Sequence, residues 1–153
     1  MLVEQFVFVN QFKLYYYQSF QALAEQYELQ MLDIDLLLFV YNNPSLNTAR
    51  DAVALRGLSK SNVSTSLCKL RMRGFLRLQT DPGNRRLQHI FLLPEGEAVA
   101  RELRACQKAC FERLFTGFSD EELSQLRQYL TRLNGNITAA IRDKNRKDTK
   151  QCF

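Results

Sequence analysis

The stretch LSKSNVSTSLCKLRMRGFLRLQTDPGNRRLQHIFLLPEG, residues 58–96, decides the fold. Ser59 is placed to cap a helix over KSNVSTSLCKLRMR that stops at Gly74, a residue suited to a left-handed helix end. FLRLQT (75–80) then sets Phe75, Arg77 and Gln79 against Leu76, Leu78 and Thr80, and RLQHIFL (86–92) alternates in the same way. A period of two predicts two strands, each burying one face. Between them, Asp81-Pro82-Gly83-Asn84 joins a proline that fixes φ to a glycine suited to positive φ. Such a turn twists less favourably for a two-residue hairpin than Asn-Gly, so a slightly longer loop reaching Arg86 is expected. The stretch reads as a helix followed by a short hairpin with Arg85 and Arg86 at its tip.

Working back from this stretch, Thr48 is placed to cap ARDAVALR with Gly57 ending it, and Asp33 to cap IDLLLFVYNN, which Asn42-Asn43-Pro44 stops. Three short helices in close succession predict a helix-turn-helix arrangement. Residues 3–27 form a further helix with more apolar surface than a solvated arm would carry. Working forward, a long helix is expected from Pro94 to about Phe115, with Val99, Leu103, Cys106, Cys110 and Leu114 on its apolar stripe. Ser119 and Glu122 form a capping box, with Phe118 and Leu123 as a staple, for a last helix. There Leu123, Leu126, Leu130, Leu133, Ile137 and Ala140 recur at alternating spacings of three and four, the seam of a helix packed along another. That seam packs either within the chain or against a second copy. A buried leucine is worth ~1.5–3 kcal/mol, so a whole row left in water would exceed a typical stability margin.

The chain has 153 residues, 46% hydrophobic and 24% charged, with no apolar run long enough to span a bilayer. One compact unit is expected, with no internal repeat or low-complexity tract. The apolar N-terminus lacks a basic lead and a cleavage site, so no secretory signal is expected and the cytoplasm is the default address. Cys68, Cys106, Cys110 and Cys152 show neither C-x-x-C spacing nor the density of a disulfide scaffold. Charge is unevenly spread. Residues 1–49 hold one basic and five acidic residues, 50–86 nine and two, and 87–153 eleven and nine, giving −4, +7 and +2. A localised basic block fits a face that meets a polyanion, although composition alone also allows a merely solvated surface.

Within the helix over 60–73, Val63, Leu67 and Leu70 mark the buried side, leaving Lys60, Ser61, Asn62, Ser64, Thr65 and Lys69 on the rest. Short hydroxyls and an amide backed by lysine can reach base edges and phosphates in a major groove about 12 Å wide. An ordinary polar face has a similar composition. Arg85 and Arg86 at a protruding tip can enter a narrow minor groove nearby, or simply keep a turn soluble. No Walker A loop, G-x-G-x-x-G, H-E-x-x-H or G-x-S-x-G is present, and His89 is the single histidine, so neither an enzyme nor a metal site nor a cofactor is expected.

With these residues in view, the run from Leu58 to Gly96 resembles the MarR family of winged-helix transcription regulators: Leu58-Ser59-Lys60-Ser61-Asn62-Val63-Ser64, then Leu67 and Leu70, Gly74-Phe75-Leu76, the wing Asp81 to Arg86, and Leu92-Leu93-Pro94-Glu95-Gly96. The helices on either side match the family's layout. The resemblance implies a mainly α fold with a small antiparallel β-hairpin wing, a winged helix-turn-helix whose N- and C-terminal helices form a dimerisation domain. It divides the chain into an N-terminal dimerisation helix (1–30), the DNA-binding region (31–93), C-terminal dimerisation helices (94–146) and a disordered tail (147–153). It further implies a cytoplasmic homodimeric repressor on a pseudo-palindromic double-stranded operator, with Leu123, Leu126, Leu130, Leu133 and Ile137 in the dimer seam. Such proteins often bind small aromatic molecules between terminal helices and winged domain, where Phe12, Tyr15, Tyr16, Tyr17 and His89 would line a cleft, unless these aromatics are plain core. Two positions depart from the family's pattern. Asn84 stands in place of an aspartate, which replaces a wing salt bridge to an arginine with a neutral hydrogen bond. Leu93 stands in place of a capping threonine, and Pro94 in the first turn compensates by removing one free amide. Two alternatives remain at this stage: a thiol-based redox regulator on the same scaffold, and a winged-helix module binding an acidic protein partner.

Overall fold

A computed structural model describes residues 2–56 and 59–150. In chain order it contains α1 (Leu2–Gln26), α2 (Met31–Asn42), α3 (Ala49–Arg56), α4 (Lys60–Met72), β1 (Leu76–Thr80), β2 (Gln88–Leu92), α5 (Pro94–Leu114) and α6 (Asp120–Lys150). The mainly helical fold with one small antiparallel hairpin is the one expected. The chain divides into two compact units, residues 1–111 and 112–153.

The first unit is built around α2. Its run Ile34, Leu36, Leu37, Leu38, Phe39 and Val40 is buried on every side, as a helix that is hydrophobic all round must be. Phe20 of α1, Val63, Leu67 and Leu70 of α4, Leu76 and Ile90 of the hairpin, and Val99 and Leu103 of α5 complete this core.

Local chemistry sets most helix ends. At α3, the Asp51 amide donates to Thr48 Oγ1 (3.1 Å) and the Thr48 amide donates to Asp51 Oδ2 (3.1 Å), a reciprocal cap. At α4, the Asn62 amide donates to Ser59 Oγ (3.2 Å). Gly57, expected to end α3, lies outside the described residues. Gly74, at φ +74°, closes α4: the Phe75 amide reaches Leu70 O (3.0 Å) and the Gly74 amide reaches Arg71 O (3.0 Å). Glu28, at φ 50°, performs the same turn after α1 without being glycine, with Leu29 N–H on Ala24 O (2.8 Å).

One expected cap differs. Asp33 is not the residue that starts α2; Gln30 occupies that position and Asp33 lies in the first turn, its Oδ2 accepting the Gln30 amide (2.9 Å). Residue type alone marks aspartate as a cap, but an acid three residues into a helix reaches back to the amide of the capping residue instead.

The hairpin pairs Leu76 with Leu92 and Thr80 with Gln88. Its connection spans 81–87, the longer loop expected for a Pro-Gly turn. Leu93 is no cap, and α5 begins at Pro94, as anticipated. The Leu93 amide instead donates to Phe75 O (2.9 Å), and Gly96 presses so close to the same carbonyl that a Cβ there would sit 1.8 Å from it. A side chain at position 96 is therefore excluded.

The second unit holds the end of α5, a turn through Gly117 (φ +88°) and α6. The capping box forms as expected: the Ser119 amide donates to Glu122 Oε2 (2.8 Å) and the Glu122 amide to Ser119 Oγ (3.2 Å). Phe118 is half exposed and stacks edge-on with Phe115. α6 continues to Lys150, so residues 147–150, expected in the tail, remain helical.

Candidate nucleic-acid interface

Two surfaces of the first unit converge on one groove. Along α4, Val63, Ser66, Leu67 and Leu70 face inward, while Lys60, Ser61, Asn62, Ser64, Thr65 and Cys68 are exposed. The hairpin loop presents Arg85 and Arg86, both exposed. Between α3, α4 and the loop lies an open cleft of about 770 Å³. Lys60, Ser64, Arg85 and Arg86 line it, as do Arg50 and Arg71, which no helix pattern had singled out. The signal that contained them was the charge count, since both fall within the basic block of residues 50–86. Five cations around one cleft make a surface suited to phosphates, and a single helix about 12 Å across fits the major groove between them.

One hydroxyl on this face is already committed: Thr65 donates its proton to Ser61 O (3.1 Å), which leaves its oxygen to act only as an acceptor. Ser61 Oγ lies 3.3 Å from Ser59 Oγ. Lys69 behaves differently from its neighbours. It was expected among the DNA contacts, but its ammonium is paired with Asp33 Oδ2 at 2.8 Å.

The loop that carries the arginines is held by one carboxylate. Asp81 Oδ1 accepts the amides of Gly83 and Asn84, both at 2.8 Å, and its Oδ2 accepts from His89 Nε2 at 3.0 Å. The His89 hydrogen bond, then the Gly83 amide, hold the Asp81 carboxyl below the usual carboxylate range. His89 Nδ1 lies 2.8 Å from Asn47 Oδ1, and the Ile90 amide donates to Asn47 O (2.7 Å), so the wing is anchored to the lead-in of α3. Asn84 Oδ1 accepts the main-chain amide of Arg86 (3.1 Å), a contact to the backbone and not to an arginine side chain. Outside the loop, the Arg77 guanidinium lies 4.4 Å from the centre of the Phe91 ring, its cross-strand partner.

His89 is thus a wing residue, and its grouping with the α1 aromatics is corrected: in sequence nothing distinguishes a lone histidine in a strand from one in a cleft. Phe12, Tyr15 and Tyr16 do come together, against α5. Phe12 and Tyr16 both approach Phe111 (6.4 and 6.1 Å between ring centres), Tyr15 donates to Cys110 O (3.4 Å), and Gln107 Nε2 donates to the Tyr16 hydroxyl (2.9 Å). Tyr17 points elsewhere, exposed beneath the Lys13 ammonium (5.5 Å). Cys106 donates to Ser19 O (3.0 Å), and burial, with a smaller contribution from Cys110, pushes its thiol pKa up, away from the reactive thiolate. Cys68 is exposed on α4, and Cys152 lies outside the described residues. Among the described residues no group of three or more His, Cys, Asp or Glu side chains could hold a metal ion, and no helix is long and apolar enough to cross a membrane.

On the last helix, Leu130, Leu133 and Ile137 are about half exposed and Leu123 and Leu126 partly buried. Val7, Phe8, Val9 and Leu14 of α1 are exposed as well.

Comparison with known proteins agrees with this fold. The sequence model of the MarR family matches residues 27–87, the span from the end of α1 to the end of the wing loop. An HTH-type transcriptional regulator of Bacillus subtilis, YybA, is 25% identical over 124 residues, covering 76% of this chain and 82% of YybA. A MarR-family regulator from Listeria monocytogenes, solved with a 26mer DNA, superposes with a TM-score of 0.75 at 14% identity, covering 90% of this chain and 88% of that one. BpsR of Bordetella bronchiseptica, whose DNA binding is regulated by 6-hydroxynicotinic acid, superposes at 0.68 with 18% identity, covering 86% and 98%.

Proposed function

We propose that this chain, whose residues 27–87 match the sequence model of the MarR family, is a DNA-binding transcription regulator of that type, acting as a homodimeric repressor that reads a pseudo-palindromic operator. In each half-site, Ser61, Asn62, Ser64 and Thr65 of α4 face base edges in the major groove. Lys60, Arg50 and Arg71 take the flanking phosphates, and Arg85 and Arg86 reach from the wing into the neighbouring minor groove. The observation that carries this reading is the open cleft lined together by Lys60, Ser64 and Arg71 of α4 and by Arg85 and Arg86 of the loop.

A small aromatic effector fits the same reading, at the contact of α1 and α5 where Phe12, Tyr15 and Tyr16 gather. BpsR, which responds to 6-hydroxynicotinic acid, supports an effector of that class. A location in the cytoplasm follows from the role on DNA.

The deciding experiment is selection of tight binders from random duplexes. Enrichment of an inverted repeat with half-site centres about 10 bp apart, or a multiple of that, is expected. Salt-sensitive retention of all duplexes without an enriched motif would instead favour a module for acidic protein partners.

A further inference from the structure

α4 is gripped from within by one carboxylate. Asp33 of α2 is only 1% exposed and takes three donors: the Gln30 amide on Oδ2 (2.9 Å), the Lys69 ammonium on Oδ2 (2.8 Å) and the Ser66 hydroxyl on Oδ1. Ser66 and Lys69 lie three residues apart, on the line of α4 that faces α2.

The two helices also bring Ile34, Leu36, Leu37, Val63, Leu67 and Leu70 into one apolar core, where attraction has no preferred direction and tolerates small rotations. Charge-assisted hydrogen bonds do not. A buried carboxylate stripped of a partner is strongly disfavoured, so the Ser66 and Lys69 contacts persist only in one setting of α4 about its own axis. Thr65 and Cys68, on the outward face, immediately precede the two gripped residues. Holding positions 66 and 69 therefore sets the direction of Ser61, Ser64 and Thr65.

Resting on the assignment of α4 as the DNA-reading helix, we infer that Asp33, acting through Ser66 and Lys69, is the positioning residue that sets the rotation of this helix and with it discrimination among DNA sequences. Lys69 serves the lock and contacts no phosphate.

Lys69→Met and Ser66→Ala test this, the second because it removes one hydrogen bond while leaving the ion pair intact should the first variant fold poorly. Affinity is measured for the selected operator and for a random duplex of equal length over a salt series. In both variants the operator-to-random ratio falls about tenfold, the scale of one misplaced base contact, while random-duplex affinity and the salt slope hold. In Lys69→Met, equal losses on both duplexes with a slope shallower by about one contact would put the ammonium on a phosphate and overturn the inference. An unchanged ratio in both variants overturns it equally. If the wild-type protein prefers no duplex at all, the proposed function has failed rather than the lock, which is then read by amide exchange along α4. Faster exchange in the variants upholds the lock, and unchanged exchange refutes it.

Discussion

Arg85 and Arg86 carry the same charge, but the loop treats them differently. The Arg86 main chain is held by Asn84 Oδ1, so its side chain leaves the wing from an ordered backbone. Arg86→Ala is expected to flatten the dependence of log affinity on log salt by about one phosphate equivalent and to weaken binding to the operator. Titration of a labelled duplex over a salt series checks this, and an unaltered slope would remove Arg86 from the interface. At this scale the sequence was only partly legible. The outward row from Lys60 to Thr65 could be read because exposure follows from the apolar period of one helix. The pairing of Lys69 with Asp33 could not, because it joins residues 36 apart and depends on how two helices pack. His89 was misplaced for the same reason: its partners Asn47 and Asp81 come together only once the hairpin has docked on the lead-in to α3.

The wing depends on the ionised form of one side chain. Asp81 has a lowered pKa in the folded protein, chiefly through the His89 hydrogen bond. The stabilisation it lends is therefore present in full above the ordinary carboxylate value and is lost as pH falls through the folded value. Acidification into that range is expected to loosen the loop before the helices melt. Amide exchange at Gly83 and Asn84, whose N–H groups point at Asp81 Oδ1, should rise ahead of exchange in α2. Simultaneous loss of protection in both places would contradict a separate wing transition. Elements were the most legible level of this protein, because the caps at Thr48, Ser59 and Ser119 are local exchanges between a side chain and an amide three residues away. Asp33 escaped the same logic, since its carboxylate serves a local amide and two distant donors at once.

For the whole molecule, the apolar surface left uncovered is the main physical fact. Leu133 is 55% exposed in the single chain, and Leu130 and Ile137 beside it are similar. A charge at position 133 would cost an isolated chain little but would place two like charges in a symmetric interface. Leu133→Glu is expected to turn the proposed dimer into monomers by sedimentation equilibrium, with retained helix content by circular dichroism. A dimer that persists would place the interface elsewhere. Spacing alone left this seam open between internal packing and self-association, because a three-four repeat says that a helix packs without saying on what.

The close approach of Gly96 to Phe75 also has a mechanical meaning. With no side chain between them and Leu93 bonded to the same carbonyl, the start of α5 and the root of β1 share a joint that has no slack. A tilt at the start of that helix would therefore carry the root of β1 with it, because nothing between the two can give way.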